Sequence, residues 1–200
     1  MSVGWLVRSS AGRSLVRRLG SGRADDIAAR VAPHLRPDGS VIDIGAGGCQ
    51  VAARLVSRGL AVTAVDVHNW SVEPTVVPQW IDGVTLPFSD DAFAVALLIT
   101  VLHHAADPER VLAEAARVAR RVVVMEDIHD NQVQRVATMA MDSIVNLEFR
   151  GHPHGNRSDP EWRATFARLG LYVVSSSSKP FWRWFDSGVY VLERRDAQTT

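Results

Sequence analysis

Residues 40–66, SVIDIGAGGCQVAARLVSRGLAVTAVD, constrain the fold of this chain more than any other stretch. Val41, Ile42 and Ile44 make an apolar run that predicts a buried strand, with Asp43 near its end. Gly45, Ala46, Gly47 and Gly48 follow, a turn with almost no side-chain bulk. Val51, Ala52, Leu55 and Val56 then keep a helical spacing until Gly59 stops it. A second apolar run, Ala61 to Val65, is closed by Asp66. Strand, glycine turn, helix, strand and terminal acid together predict a βαβ unit with a parallel strand pair.

Each part of that unit answers a physical need. Glycine lets the backbone approach a ligand closely and adopt dihedrals that other residues avoid. The helix after the turn aims its unpaired N–H groups at the same place. A carboxylate after the second strand can accept hydrogen bonds from both hydroxyls of a ribose. Asp66 stands about 20 residues beyond the turn, the separation suited to that role. The stretch therefore predicts an adenosine-like ligand.

Two ligand classes compete on the turn itself. The dinucleotide fingerprint G-x-G-x-x-G, counted from Gly45, needs glycine at position 50 and meets Gln50. The pattern acid-x-G-x-G-x-G reads Asp43, Gly45, Gly47 and then Cys49, which is small but not glycine. In this version the chain resembles the class I S-adenosylmethionine-dependent methyltransferases, in particular their small type 11-like members. That cofactor has no pyrophosphate and less need of a third glycine.

The middle of the chain extends the resemblance. DGVTLPFSDDAFAVALLITVLHHAADPERVLAEAARVARRVVVMED carries an acid-glycine pair before L-P-F, an acidic turn, an apolar strand, V-L-H-H and then D-P. Phe93–Ile99 is continuously apolar, as a strand buried on both faces of a parallel sheet would be. Asp107 can cap a helix that opens at Pro108, and Val122–Met125 reads as the fifth strand. The family resemblance implies a Rossmann-like α/β fold: a seven-stranded, mostly parallel sheet of order 3-2-1-4-5-7-6, strand 7 antiparallel, with helices on both faces. It implies S-adenosyl-L-methionine as cofactor, held by Asp43, Gly45, Ala46, Gly47, Asp66, Val67, Asp82, Gly83 and Thr100. In the family the acid at Asp82 holds the exocyclic amine of adenine, Gly83 offers its backbone to the ring edge, and Thr100 meets the methionine portion.

Other segments are read from composition and spacing. Residues 1–24 hold Arg8, Arg13, Arg17, Arg18 and Arg23, five serines and no acid. Such a segment suits a helix packed on the domain, a transit peptide, or a basic arm that lies on a membrane or covers a substrate pocket. Asp25 or Asp26 is expected to cap a separate helix with Ile27, Val31 and Leu35 on its face. This divides the chain into a basic helical arm, 1–36, and a cofactor-binding domain, 37–195. A third strand is expected within Val76–Ile81. Residues 131–149 carry a helical apolar stripe expected to lie over the crevice, as an insertion near 130–150. PEWRATFARLG is a further helix, and the sixth and seventh strands are expected to include Leu171–Val174 and Gly188–Leu192. Between those strands, Phe181, Trp182, Arg183, Trp184 and Phe185 suit core packing, a dimer or membrane contact, or an apolar or aromatic acceptor.

Composition removes several classes. The net charge is zero, so no global field draws the chain to nucleic acid. Cys49 is the single cysteine, which excludes an internal disulfide and a CxxC metal site. His103-His104 invites a metal reading but lacks a third ligand at fixed spacing, and no metal is expected. The expected reaction is in-line methyl transfer to a small-molecule acceptor. A neutral histidine or carboxylate could remove a proton from that acceptor, and His129, His104 and Asp127 are the candidates. A cofactor-binding regulator without catalysis, and an NAD(P)-dependent oxidoreductase, stay open at this stage. The expected location is the cytoplasm, with the mitochondrion or a membrane surface as alternatives, and the oligomeric state is open.

Overall fold

The computed structural model describes residues 7–36, 39–128, 157–181 and 185–194. The expected lid stripe at 131–149, the candidate base His129 and the centre of the aromatic cluster, residues 182–184, lie outside the described residues.

A seven-stranded sheet organises the rest, in the order β3-β2-β1-β4-β5-β7-β6. Its strands are β1 (Ser40–Ile44), β2 (Ala61–Asp66), β3 (Gln79–Trp80), β4 (Phe93–Ile99), β5 (Ala119–Ile128), β6 (Leu171–Phe181) and β7 (Phe185–Arg194). The pairs β1–β2, β1–β4, β2–β3 and β4–β5 are parallel, and β7 runs antiparallel to both β5 and β6. This is the expected order, with the seventh strand reversed. Parallel pairing sends the chain ends of β1 to β5 to one edge, where the connecting turns gather.

Alternation along the strands sorts the core into two layers. Ile42, Ile44, Val65, Leu98, Val122 and Val124 face α3 (Pro108–Val118) and α4 (Asp159–Arg168), where Leu112, Trp162 and Phe166 complete the packing. Val41, Val95, Leu97, Val123 and Met125 face the opposite layer. There they meet Ile27, Ala28 and Val31 of α1 (Ser10–Val31) and Leu55 of α2 (Gln50–Ser57).

Local signals fix the helix starts. The Asp107 side chain accepts from the Arg110 N–H at 3.0 Å, with Pro108 in the first turn. At α4, the Ser158 N–H and hydroxyl both donate to Glu161 Oε2, at 2.7 and 2.8 Å.

One expectation needs correction. No second helix starts at Asp25 or Asp26, because α1 is continuous from a cap at Ser9, whose hydroxyl accepts from the Gly12 N–H. Gly20 passes through the helix because it lies against α2: a Cβ there would stand 2.2 Å from Gln50 Oε1. Asp25 instead pairs with Arg54 of α2 at 2.8 Å. The third strand falls within the expected Val76–Ile81, as the two residues Gln79–Trp80, which pair with β2 at the sheet edge.

Candidate functional site

The glycine turn is held from three sides. Gly45 and Ala46 donate to the Val65 carbonyl at 2.9 and 3.1 Å, which ties the turn to β2. Gly45 has φ +73°, and a Cβ there would stand 2.3 Å from Val101 Cγ2. Only glycine satisfies both the dihedral and the contact. The turn after β1 and the turn after β4 are therefore packed directly together. Gly47 also has positive φ, +52°, but a Cβ there would meet nothing within 4 Å, so open space faces this position. Cys49 is buried at the start of α2 with φ +59°, and burial, partly offset by a hydrogen bond with Ser71, raises its thiol to about 11.

Asp66 braces this turn. One carboxylate oxygen accepts from the Gly47 N–H at 2.8 Å, the other from the His68 N–H at 2.9 Å. A carboxylate has about four lone-pair positions, so two acceptor sites remain for ligand hydroxyls. Asp43 is 3% exposed, and its carboxyl makes no hydrogen bond among the described residues. Burial, reinforced by the nearby Asp66 charge, raises its pKa from 3.8 to about 7. A buried carboxyl without a donor partner, beside open space at Gly47, suits a ligand that brings its own donor or positive charge.

The next strand end reaches the same place. Val67 is 42% exposed, and its Cγ1 stands 2.9 Å from where a Gly83 Cβ would be. Gly83 has φ +82°. Asp82 is exposed, and its Oδ1 accepts from the Val84 and Thr85 N–H groups, both at 2.8 Å. Those N–H groups hold its pKa below the ordinary carboxylate value. The L-P-F segment after it is clamped by α3: Glu114 accepts from the Leu86 N–H at 2.9 Å, and Arg117 donates to the Leu86 and Phe88 carbonyls.

At the end of β4, Thr100 has φ +50° and donates its N–H to the Met125 carbonyl at 2.7 Å. The following residues hang on Glu126, which the sequence reading passed over. Glu126 is fully buried near the end of β5. Its Oε1 accepts from the Val101 and Leu102 N–H groups at 3.0 and 2.8 Å, and its Oε2 lies 2.5 Å from His103 Nδ1. The available signal was an acid directly after VVVM, at even spacing from Val122 and Val124, which face the α3 layer.

The three candidate bases do not form one cluster among the described residues. His104 is half-buried, its ring 4.0 Å from that of His103 and tilted by 43°. Asp127 is half-buried in β5 opposite Ser187, on the sheet face that α1 covers, where its charge is felt by Arg30. His129 lies outside the described residues.

S-adenosylmethionine fits this donor set. Asp66 has acceptor capacity for the ribose hydroxyls, Val67 and Gly83 stand close enough to bound the base, and Asp43 lacks a cationic or donor partner. Ala46 and Gly47 lie in the same turn, Asp82 precedes Gly83, and Thr100 follows β4, the neighbour of β1 in the sheet.

Comparison with known proteins agrees with the geometry. Residues 42–124 match the family described as a methyltransferase domain. The 27-O-demethylrifamycin SV methyltransferase of Amycolatopsis mediterranei is 31% identical over 99 residues, which are 43% of this chain and 36% of that protein. An uncharacterized methyltransferase of Mycobacterium bovis is 36% identical over 86 residues, 40% of this chain and 35% of that protein. The matched parts are thus about a third of the length of these relatives. Among solved structures, an S-adenosylmethionine-dependent methyltransferase from Methanosarcina mazei superposes with a TM-score of 0.64 at 16% identity, covering 82% of this chain and 96% of that one. The magnesium protoporphyrin IX methyltransferase of Synechocystis, solved with bound S-adenosylhomocysteine, gives 0.63 at 15% identity, covering 89% and 85%. Residues 42–124 therefore match the methyltransferase domain family, within a chain that has the fold of the class I S-adenosylmethionine-dependent methyltransferases.

Proposed function

We propose that the chain transfers a methyl group from S-adenosylmethionine to a small-molecule acceptor. The observation that carries this is the locked glycine turn: Gly45 against Val101 and Gly47 against Asp66, with Asp43 left unpartnered beside it. When bound, the cofactor supplies an activated methyl on a sulfonium, whose departure leaves a neutral thioether. The chain's residues then need only bind, align and exclude water, and alignment is worth much of the barrier. Asp66 orients the ribose, and Asp82 and Gly83 take the base. The turn 100–104, fixed by Glu126, presents the wall nearest the acceptor.

Two names support a small-molecule acceptor, 27-O-demethylrifamycin SV for a relative and magnesium protoporphyrin IX for a fold neighbour. The aromatic composition of residues 181–185 favours an apolar or aromatic one. An acceptor with a hydroxyl or amine has a proton to lose, and His104 is the base we favour, with Asp127 and His129 as the alternatives.

Calorimetry with S-adenosylmethionine, S-adenosylhomocysteine and NAD(P) tests the cofactor. A panel of acceptors with labelled methyl donor tests the transfer. Binding of NAD(P) alone overturns the reading, and binding of S-adenosylmethionine with no transfer to any acceptor points to a regulator. Unchanged turnover of His104→Ala across pH removes His104 as base.

A further inference from the structure

Along the first half of α1, the stripe that continues the buried one is polar: Arg13 and Arg17 are half-buried, and Ser10 and Ser14 are exposed. Ser10, Arg13, Ser14 and Arg17 lie three and four residues apart, on one side of the helix, and form one wall of a recess of about 170 Å³. The loop Ser71–Pro74 forms the other wall. The second half of the same helix behaves as packing demands: Ala24, Ile27, Ala28 and Val31 are buried. Two guanidiniums and two hydroxyls on the continuing stripe forgo that packing.

The charge of this recess is unbalanced. Glu73 is the one acid among its lining residues, and its carboxylate is engaged by Arg54 at 3.2 Å. Arg13 spends Nη1 on the Val7 carbonyl at 2.9 Å. The Arg17 guanidinium makes no hydrogen bond or ion pair among the described residues; only its backbone carbonyl is used, by Gln50. The Ser71 hydroxyl is already committed to the Glu73 and Val76 carbonyls. The recess also abuts the glycine turn from outside. The Val72 N–H donates to the Gly48 carbonyl at 3.1 Å, and Gln50 ties the Arg17 carbonyl to the start of α2.

We propose that this recess binds a phosphate group, forked by Arg13 and Arg17 and completed by the hydroxyls of Ser10 and Ser14. Guanidinium geometry matches phosphate oxygens bidentately. Two guanidiniums with two hydroxyls offer more donors than a single carboxylate can use. The phosphate comes either from a free phosphorylated molecule or from a lipid headgroup. The second source has a physical basis in the outer side of α1, where Leu15 and Leu19 are 52% and 76% exposed beside the exposed Arg18. This site is separate from the cofactor crevice, and its test does not depend on methyl transfer.

The full chain is titrated with inorganic phosphate and with glycerol phosphate by calorimetry. It is also sedimented with phosphatidylglycerol–phosphatidylcholine vesicles against pure phosphatidylcholine vesicles. Saturable phosphate binding is expected, weakened about tenfold or more in Arg13→Gln/Arg17→Gln and unchanged in Arg18→Gln. S-adenosylmethionine affinity should be equal in all three proteins. A free source predicts vesicle capture that does not depend on Arg13 and Arg17; a headgroup source predicts capture that the double variant loses and inorganic phosphate competes away. Circular dichroism checks that the double variant folds. Should it not, Arg17→Lys keeps the charge without the fork and should still bind phosphate several-fold more weakly. The proposal is overturned by no saturable phosphate binding, by an equal loss in Arg18→Gln, or by lost S-adenosylmethionine binding in the double variant, which would make the recess part of the cofactor site.

Discussion

Asp43→Asn probes the crevice through a single proton. Asp43 sits at the end of β1, 3% exposed, and burial together with Asp66 raises its pKa from 3.8 to about 7. Between those values the folded chain holds a proton that the unfolded chain has released. Stability therefore falls as pH rises from about 4 to 7 and is level above that. The interval is about three pKa units, so at 1.36 kcal/mol per unit the ceiling is about 4 kcal/mol. Coupling to Asp66 and solvent at the crevice mouth make the observed loss smaller. Asn keeps the shape and removes the ionisation. Urea unfolding from pH 4.5 to 8.5, followed by tryptophan fluorescence, should show the wild type losing stability across the interval. Asp43→Asn should lose less and be the more stable protein at pH 8. Parallel curves for the two proteins would refute the argument.

The same proton reports on the ligand. A cationic cofactor beside Asp43 favours the carboxylate, so binding near pH 7 should release a proton and tighten as pH rises through 7. Calorimetry in two buffers of different ionisation enthalpy measures that release. Asp43→Asn should abolish it and weaken binding.

Three further substitutions test the frame of the site. Gly45→Ala places a methyl 2.3 Å from Val101 Cγ2 at a φ of +73°, which should cost about 2–4 kcal/mol and appear as a lower Tm; an unchanged Tm would contradict the contact. Glu126→Ala removes the acceptor of the Val101 and Leu102 N–H groups and the carboxylate beside His103 Nδ1, with a loss of about 3–5 kcal/mol in urea unfolding. Glu126→Gln keeps an acceptor for those N–H groups and should lose clearly less, so equal losses would deny them a role. Asp66→Ala frees the Gly47 and His68 N–H groups and should weaken S-adenosylmethionine binding about tenfold or more by calorimetry, with a smaller loss in stability.

The βαβ unit was readable because its parts are local. A strand, a bulk-free turn and an amphipathic helix are each written in consecutive residues, and the observed β1, α2 and β2 lie where those residues put them. The seventh strand's reversal and its place between β5 and β6 came from family resemblance, since pairing between distant strands leaves no local trace. The place of the short β3 was readable but its extent was not: Val76 is buried like a strand residue, but only Gln79 and Trp80 find partners. The fusion of α1 into one helix was hidden by Gly20, which weakens a helix by intrinsic preference. Gly20 instead lets α1 lie close to Gln50, which is itself the residue that breaks the dinucleotide fingerprint.

Glu126 shows why the site was harder to read than the fold. The two acids that end β5 look alike in sequence, yet strand alternation sends them to opposite faces. Asp127 goes with Val123 and Met125 to the layer under α1, near Arg30. Glu126 goes with Val122 and Val124 to the layer of α3, where it takes two backbone N–H groups and His103. A base drawn from Asp127 and one drawn from His104 would therefore approach an acceptor from different sides of the sheet. His104→Ala and Asp127→Asn should accordingly differ in kind, because only the former sits on the turn that Glu126 fixes. If His104 acts, Glu126→Gln should shift the pH profile of turnover while sparing cofactor affinity. If Asp127 acts, the profile should follow Asp127→Asn and ignore Glu126→Gln.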